Sequence, residues 1–205
     1  MKTICLVNGS LRGKKASSLR LLSEMENRLP DTQYLKTIVR VKARPWGGYP
    51  PAVLGRLASA DALVLVFPLY AYALPGALTR LLEEFQVFVA GAGTHDRDVR
   101  VYAIVNCGFP RPVVFDECIR VLKNFCRRLS LDWRFAVCVS AGPVVVATMG
   151  LPFVNPRLKK GLAAIATDLA CEDRPLRSDY FVRPALPAPI CLLVKRWFER
   201  KMDMR

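Results

Sequence analysis

KTICLVNGSLRGKKASSLRLL, residues 2–22, begins as an apolar run with β-branched members, passes through a polar basic loop and ends as an amphipathic segment. The run from Lys2 to Val7 is typical of a buried strand. The NGS tripeptide that follows it is a turn signal. Ser17 and Ser18 then stand where serine oxygens can accept hydrogen bonds from the first amides of a helix. The stretch therefore predicts the strand, loop and helix that open an α/β domain.

The loop in this stretch has the features of a phosphate site. A strand that leads through a Gly/Ser loop into a helix presents free backbone N–H groups and the positive end of a helix dipole. Polar and basic side chains of the loop add donors and positive charge: Ser10, Arg12, Lys14, Lys15, Ser17 and Ser18. Because the GxGxxG fingerprint and the P-loop are both absent, a phosphate monoester, as in an FMN site, fits better than a dinucleotide or ATP. An ordinary strand-turn-helix unit with solvated basic residues fits this stretch equally well.

Composition describes one globular domain with an anionic partner. A chain of 205 residues, 52% hydrophobic and 23% charged, is long and apolar enough for a single well-filled domain. Its 31 basic and 17 acidic residues give a formal net charge of +14. This charge indicates a phosphorylated cofactor, nucleic acid, an acidic protein or a membrane surface as the partner, and does not choose among them.

The seven cysteines indicate a reducing compartment. They form no CxxC pair and no Cys/His metal spacing, so no metal site is predicted. Four of them lie in apolar runs, where cysteine behaves as a small hydrophobe: Cys5, Cys107, Cys138 and Cys191. The first apolar run is too short for a signal peptide. We therefore expect a cytoplasmic protein.

One uncharged stretch, Phe135 to Pro156, is long enough to cross a bilayer. Glycine and proline interrupt it at Gly142-Pro143 and again at Pro152, which is unusual for a membrane span. We expect a buried strand that continues into an apolar loop, with no integral membrane span.

Strands and helices alternate over the first 173 residues. Apolar runs predict five strands, at residues 2–7, 33–41, 62–67, 99–105 and 133–140. Segments of helical period follow them. This alternation predicts a parallel sheet with helices on both faces, in one domain that covers residues 1–173.

The segment 174–205 differs in composition from the rest of the chain. Arg174 to Pro189 contains four prolines and no clear period, so it predicts an extended loop. Ile190 to Met204 predicts a basic amphipathic helix, packed on the domain or on a dimer partner.

Two further loops follow predicted strands and complete a candidate binding crevice. In an open parallel sheet, ligands bind outside the carboxyl ends of the strands. The loop Pro68 to Pro75 carries Tyr70 and Tyr72, whose rings can cover a planar ligand. The loop Asn106 to Pro110 contains a glycine that lets backbone amides approach a ring edge. A phosphate cradle with two such walls fits flavin mononucleotide better than ATP.

Three motifs of the chain, NGSLR, FPLYAYALPGALTRLLE and NCGFP, stand in this order within residues 1–129. Together they resemble the flavodoxin-like family of NAD(P)H-dependent FMN reductases and quinone reductases. The resemblance implies a doubly wound five-stranded sheet in the order 2-1-3-4-5, with FMN as the bound cofactor. It also implies hydride transfer from NAD(P)H through the flavin to a small acceptor such as a quinone or a flavin. We further expect a homodimer.

The resemblance also assigns roles to residues by their position in these motifs. The phosphate would be held by Ser10, Arg12, Ser17 and Ser18. The isoalloxazine would be framed by Pro68, Leu69, Tyr70, Ala71, Tyr72, Asn106, Cys107, Gly108 and Phe109. No acid or base is conspicuous in these loops, so no catalytic side chain is assigned, because the flavin carries the hydride chemistry.

Three other functions remain open from the sequence. A flavodoxin-like electron-transfer or flavin-binding regulatory protein without turnover would use the same site. Nucleic-acid binding rests on charge alone, since basic residues are scattered and no recognised module is present. A cysteine hydrolase would need Cys107 as nucleophile and the single histidine, His95, as base, and this is the weakest of the three.

Overall fold

The structure, a computed structural model, describes residues 1–13, 16–43, 47–91, 98–109, 112–151, 154–173, 175, 177–184, 189, 193 and 196. In chain order its elements are β1 (Lys2–Asn8), α1 (Ser17–Glu26), β2 (Tyr34–Arg40), α2 (Pro51–Ala58), β3 (Ala62–Pro68), α3 (Gly76–Gly91), β4 (Arg100–Asn106), a 3₁₀ turn (Pro112–Phe115), α4 (Asp116–Arg128), β5 (Asp132–Val139), α5 (Gly142–Ala147), α6 (Pro156–Ala170) and β6 (Tyr180–Val182).

The strands form one six-stranded sheet in the order β2-β1-β3-β4-β5-β6, and all the pairings are parallel. The parallel α/β architecture and the order of the first five strands agree with the sequence prediction. The central strands are buried on both faces, which explains their continuous apolar sequences. Strand β2 lies at the edge, and five of its seven residues are partly or fully exposed.

Helices cover both faces of the sheet, and each face has its own core. Successive strand side chains point to opposite faces, so Cys5 and Val7 contribute to one core and Ile4 and Leu6 to the other. The first core packs against α2, α3 and α4. The second packs against α1, α5 and α6. Helix α1 therefore lies on the second face, with its first turn directed toward the carboxyl ends of the strands.

Within the described residues the sheet has six strands, so the prediction of five is wrong. Strand β6 lies in the segment predicted as an extended loop and pairs with residues 137–139 of β5. Its three residues are too few to show a strand pattern in the sequence. Tertiary contacts hold them instead, because the Asp179 carboxylate accepts a hydrogen bond of 2.7 Å from the Ala136 amide beside the pairing.

Two other predictions concern the second half of the chain. The stretch from Phe135 to Pro156 was predicted as a strand that continues into an apolar loop. In the structure, β5 ends at Val139 and the residues Gly142–Ala147 form the short helix α5, which the sequence prediction missed. Most of the predicted C-terminal helix lies outside the described residues. Within the described part of the chain, no helix has the length and apolar composition that a membrane-spanning helix needs.

A buried carboxylate ties the sheet to the segment that precedes β6. Asp168 of α6 is fully buried. Arg134 of β5 donates to both of its oxygens, from Nε at 2.9 Å and from Nη2 at 3.1 Å. The Tyr102 hydroxyl of β4 donates at 2.7 Å, and Arg177 Nε at 3.3 Å. We call these four residues the Asp168 cluster, and it joins β4, β5, α6 and residue 177.

Gly9→Ala is expected to lower the free energy of unfolding by about 1–3 kcal/mol, because the added methyl group overpacks the core. A Cβ at this position would lie 2.6 Å from Phe67 Cβ and 3.0 Å from Leu78 Cδ2. Urea denaturation measures the effect. In Gly55→Ala, the matched control in α2, the new Cβ meets nothing within 4 Å. That control should gain about 0.5–1 kcal/mol, since alanine is the better helix former. Equal stability changes in the two variants would contradict the close approach at Gly9.

Candidate functional site

The carboxyl ends of four strands meet at one edge of the sheet. Asn8 of β1 is level with Val66 of β3. Pro68 of β3 is level with Asn106 of β4, which is level with Val139 of β5. The strand order reverses between β1 and β3, which is where a parallel sheet of this kind forms its ligand crevice. The three loops singled out from the sequence therefore border one crevice.

The first part of the β1 loop satisfies its own backbone. The Gly9 amide donates to Val66 O at 2.8 Å. The Ser10 amide donates to Asn8 Oδ1 at 3.1 Å, and the Arg12 amide donates to Ser10 Oγ at 3.2 Å. These three amides are therefore not available to a ligand. The Ser10 hydroxyl proton remains available, and the Arg12 side chain is exposed.

The start of α1 is different, because its donors are unpaired. Ala16 occupies the N-cap and makes no side-chain capping bond. Within the described residues, the amides of Ser17 and Ser18 donate to no acceptor. Ser18 is 1% exposed, and its Oγ has no hydrogen-bond partner in the part of the chain that the structure describes. A buried hydroxyl without a partner costs free energy, so this hydroxyl is available to an acceptor that enters the crevice. Lys14 and Lys15 lie outside the described residues.

The loop after β3 forms a tight turn with two exposed tyrosines. Its base is fixed, since the buried Leu69 donates its amide to Asn106 O at 2.8 Å. Tyr70 and Ala73 exchange backbone hydrogen bonds of 3.0 and 2.9 Å. The two residues between them, Ala71 and Tyr72, have φ angles of 46° and 66°. This left-handed conformation is uncommon for residues other than glycine and costs free energy, as it often does in ligand-binding loops.

The loop after β4 presents backbone donors beside that turn. The Cys107 amide donates to Val139 O at 3.0 Å, so the loop is anchored to β5. The next two residues, Gly108 and Phe109, are exposed, and their amides donate to no described acceptor. Asn106 is buried, and its Oδ1 has no hydrogen-bond partner among the described residues. These groups place two donors and one acceptor at the rim of the crevice.

An aromatic contact joins the two loops. The rings of Tyr72 and Phe109 stack with their centroids 6.0 Å apart and their planes within 8°. Both residues remain about half exposed, at 55% and 53%. Stacked rings of this kind form a flat apolar wall that suits a planar ligand. Tyr70, at 45% exposure, and the half-buried Pro68 complete the same loop.

Three residues of this edge were not found from the sequence. Asn8 is 2% exposed and its side chain orders the β1 loop. Gly142 begins α5 and donates its amide to Cys107 O at 2.7 Å, and a Cβ there would lie 3.1 Å from Asn106 Nδ2. Ser140 is buried, and its Oγ has no hydrogen-bond partner within the described ranges. The Gly-Pro pair after the fifth apolar run was the available signal, because proline often starts a helix.

Cys107 does not have the environment of a nucleophile. Burial raises the pKa of its thiol, and the nearby backbone of Phe109 and Ala141 offsets only part of that rise. Its Sγ donates to Phe109 O at 3.3 Å. The thiol therefore stays protonated at neutral pH, whereas a catalytic cysteine needs the thiolate. His95, the base that a hydrolase would need, lies outside the described residues. Among the described residues, no group of three or more potential ligands is placed to hold a metal ion.

Comparison with known proteins identifies the fold. No protein-family model and no curated protein sequence matches the chain. Solved structures do. NADH:FMN oxidoreductase in its apo form is 14% identical, with a TM-score of 0.63 over 86% of this chain and 95% of that one. The NAD(P)H:quinone oxidoreductase of Methanothermobacter marburgensis is 13% identical, with a TM-score of 0.61 over 85% and 98%.

An FMN-dependent NADH-azoreductase from Bacillus anthracis, solved in complex with FMN, is also similar. It is 13% identical, with a TM-score of 0.56 over 83% of this chain and 100% of that one. At these identities the likeness is one of fold. The resemblance noted in the sequence is thus confirmed at that level: the chain has the flavodoxin-like fold of FMN-dependent and NAD(P)H-dependent reductases.

Proposed function

We propose that the protein is an FMN-dependent NAD(P)H oxidoreductase that passes a hydride through the flavin to a small acceptor, such as a quinone or a free flavin. One observation carries the proposal. The first turn of α1 offers two unpaired amides and the buried, unpartnered Oγ of Ser18 at the switch point of a flavodoxin-like sheet. That combination is a site for an anion with several acceptor oxygens.

The phosphate of FMN fits these donors. Ser17 and Ser18 supply two amides, and the Ser18 hydroxyl supplies a third donor from a buried position. The Ser10 hydroxyl can donate as well, because it only accepts from the loop. Arg12 is exposed and forms no described ion pair, so its guanidinium is free to approach a phosphate. Charge-assisted hydrogen bonds of this type are about twice as strong as neutral ones.

The isoalloxazine ring fits the other two loops. Tyr72 and Phe109 form the apolar wall, and the amides of Gly108 and Phe109 are donors for the polar edge of a flavin. The strained turn at Ala71 and Tyr72 keeps the tyrosines beside the crevice. We propose that this site, with Ser10, Arg12, Ser17, Ser18 and the residues 68–72 and 106–109, lies wholly in a domain formed by residues 1–173.

The residues of the chain have a limited chemical task in this proposal. Bound FMN would supply the two-electron chemistry by accepting and then donating a hydride. The side chains bind the phosphate, orient the ring and exclude water from one of its faces. No acidic or basic side chain lies in residues 68–75 or 106–110, so we assign no proton donor to the protein.

The two nicotinamides, the homodimer and the cytoplasmic location belong to the same proposal. The similar solved structures support NADH and NADPH as donors, since they are NADH-dependent or NAD(P)H-dependent oxidoreductases. The six described cysteines are free thiols, which is consistent with a reducing compartment.

The proposal is tested by following the absorbance of NADH and of NADPH in the presence of the protein, FMN and a soluble quinone. We expect oxidation of at least one nicotinamide that depends on the protein, on FMN and on the quinone. FMN binding without oxidation of either nicotinamide would favour the electron-transfer or regulatory protein. A protein that binds no FMN and oxidises neither nicotinamide would contradict both functions.

A further inference from the structure

Two exposed cations stand at the carboxyl end of β2, beside the candidate flavin site. Arg40 is the last residue of β2 and is level with Asn8, the last residue of β1. Lys42 follows two residues later, and both side chains are exposed. Neither forms an ion pair within the described part of the chain. We call these two residues the β2 cations, and their charges are available to a ligand.

The backbone directs Arg40 toward the face of the sheet that α1 covers. Val39 and Val41 both belong to the core on the opposite face. Successive side chains of a strand alternate, so Arg40 between them points to the α1 face. The Val41 amide donates to Asn8 O at 3.0 Å, so the pairing with β1 extends past Arg40. Arg40 therefore lies on the side of the sheet where the first turn of α1 offers its unpaired donors.

The sequence around the β2 cations contains no carboxylate. Residues 32–60, which include β2 and α2, have no aspartate or glutamate, and neither do residues 1–23. The Glu84 carboxylate does accept a hydrogen bond from the Tyr49 amide. It reaches that amide from α3, on the face opposite to α1, and it is paired with Arg80 at 2.8 Å. The β2 end is therefore basic on its α1 side.

This charge distribution matters for a nicotinamide dinucleotide. In dinucleotide sites of open parallel sheets, a carboxylate binds the ribose 2′-hydroxyl of NAD, whereas an arginine accommodates the 2′-phosphate of NADP. The end of β2 provides the basic group and no acidic one. It therefore suits the phosphorylated nucleotide.

The β2 cations are within reach of a nucleotide whose nicotinamide lies over the flavin. The proposed ring wall, Tyr72 and Phe109, belongs to the loops after β3 and β4. The strand order β2-β1-β3-β4 places three strand spacings, about 14 Å in all, between β4 and β2. An extended dinucleotide covers this distance. Its nicotinamide can therefore face the flavin ring while its adenosine lies at the end of β2.

We propose that the protein prefers NADPH to NADH, because Arg40 and Lys42 bind the 2′-phosphate of the nucleotide. This inference rests on the proposed function, in which the nicotinamide reduces the bound flavin. The two nucleotides differ only in this phosphate, and cations bind it through charge-assisted hydrogen bonds. The similar solved structures do not decide the matter, since they include both NADH-dependent and NAD(P)H-dependent enzymes. The preference is a property of the β2 end of this chain.

Two adenosine nucleotides without a nicotinamide test the binding of the phosphate. Titration calorimetry compares adenosine 2′,5′-bisphosphate with adenosine 5′-monophosphate, in an excess of FMN that fills the flavin site. We expect the wild type to bind the bisphosphate about tenfold more tightly or better. Arg40→Gln and Lys42→Gln should each lower this affinity ratio by about threefold or more. The matched control is Arg56→Gln, because Arg56 is exposed in the last turn of α2, and it should leave the ratio unchanged.

Turnover gives a second readout of the same preference. We expect the kcat/KM of the wild type to be about tenfold or more higher with NADPH than with NADH. In the double variant Arg40→Gln/Lys42→Gln this ratio should fall to about twofold or less, through a higher KM for NADPH rather than a lower kcat. Higher salt concentration should reduce the ratio in the wild type, because exposed charges are screened.

The results that overturn the inference differ from those that overturn the flavin site. Equal affinities of the wild type for the two adenosine nucleotides contradict it. So does a ratio that neither Arg40→Gln nor Lys42→Gln lowers. A ratio that Arg56→Gln lowers equally would assign the preference to the net charge of the whole protein and would also contradict it. These nucleotides contain no flavin or nicotinamide, so a protein without FMN-dependent turnover can still show the ratio, and that result would contradict the proposed function alone.

Discussion

Asp168→Asn is expected to lower the free energy of unfolding by about 3–5 kcal/mol. Asp168 is fully buried, and its carboxylate is the counter-ion of Arg134, whose side chain is 7% exposed. Removing the negative charge takes away the closest carboxylate of a nearly buried guanidinium and leaves it with the more distant Asp132 carboxylate, at 3.5 Å. Breaking a buried ion pair from one side in this way is costly. Urea denaturation measures the loss. Asp173→Asn, an exposed position just after α6, is the matched control and should change stability by less than about 0.5 kcal/mol.

The loss should depend on pH in a defined direction. Burial alone would raise the pKa of Asp168, but hydrogen bonds from Arg134, Tyr102 and Arg177 outweigh it and hold the pKa below its ordinary value of 3.8. A carboxyl group with a lowered pKa in the folded state stabilises the protein above its ordinary pKa, and the effect disappears as the pH falls through the folded value. The difference between wild type and Asp168→Asn should therefore be constant near neutral pH and shrink below about pH 4.

The same variant should loosen the end of the sheet. Arg134 also donates to Pro175 O at 3.0 Å, and Arg177 donates to Asp168 itself. These bonds hold the segment that leads into β6. Amide hydrogen exchange at residues 180–182 should therefore be faster in Asp168→Asn than in the wild type. Equal exchange and equal stability in the two proteins would contradict the role of the Asp168 cluster.

Ser17→Asp is expected to weaken FMN binding by about 1,000-fold, while the folded protein without ligand becomes slightly more stable than the wild type. Two charges about 4 Å apart at a protein surface interact by about 4 kcal/mol, and every 1.4 kcal/mol is a factor of ten in affinity. An aspartate beside a bound phosphate therefore repels it. In the absence of a ligand, the same aspartate should stabilise α1 by about 0.3–1 kcal/mol, because a negative charge suits the start of a helix. Fluorescence titration and thermal unfolding measure the two effects.

The control lies on the same helix. Ser23 is exposed in the later part of α1, away from its first turn. Ser23→Asp should leave the FMN affinity within about twofold of the wild type. If Ser17→Asp binds FMN as tightly as Ser23→Asp does, the phosphate does not lie at the start of α1. The opposite signs expected for affinity and stability separate a local charge effect from general damage to the fold.

The five longest strands could be predicted from the sequence because most of them are runs of buried apolar residues, whereas their order was implied by the family resemblance. Strand β3, for example, has six buried residues out of seven, so only apolar side chains are tolerated there. Strand β6 could not be predicted in the same way. It has three residues, and its position depends on contacts with β5 and on the Asp179 carboxylate, which are distant in sequence. Helix α5 was missed because its apolar residues carry no charge pattern.

The sequence predicted which loops form the candidate site, but not which of their backbone amides are free to bind a ligand. The sequence placed the three loops at one edge, and the structure brings Tyr72 and Phe109 into contact there. The sequence did not reveal that the Ser10 amide donates a hydrogen bond to the side chain of Asn8, because this bond depends on how the Asn8 side chain turns back onto its own loop. The donors that remain are those of Ser17 and Ser18. Patterns of residue types cannot distinguish amides that are satisfied internally from amides that are free.

The central claim is that the unpaired donors at the start of α1 hold a phosphate. The most direct measurement compares the affinities of the protein for FMN and for riboflavin, which differ only in that group. We expect FMN to bind about 100-fold more tightly or better, since two or three charge-assisted hydrogen bonds are worth more than about 2.7 kcal/mol. Equal affinities for the two flavins, or binding of neither, would contradict the claim.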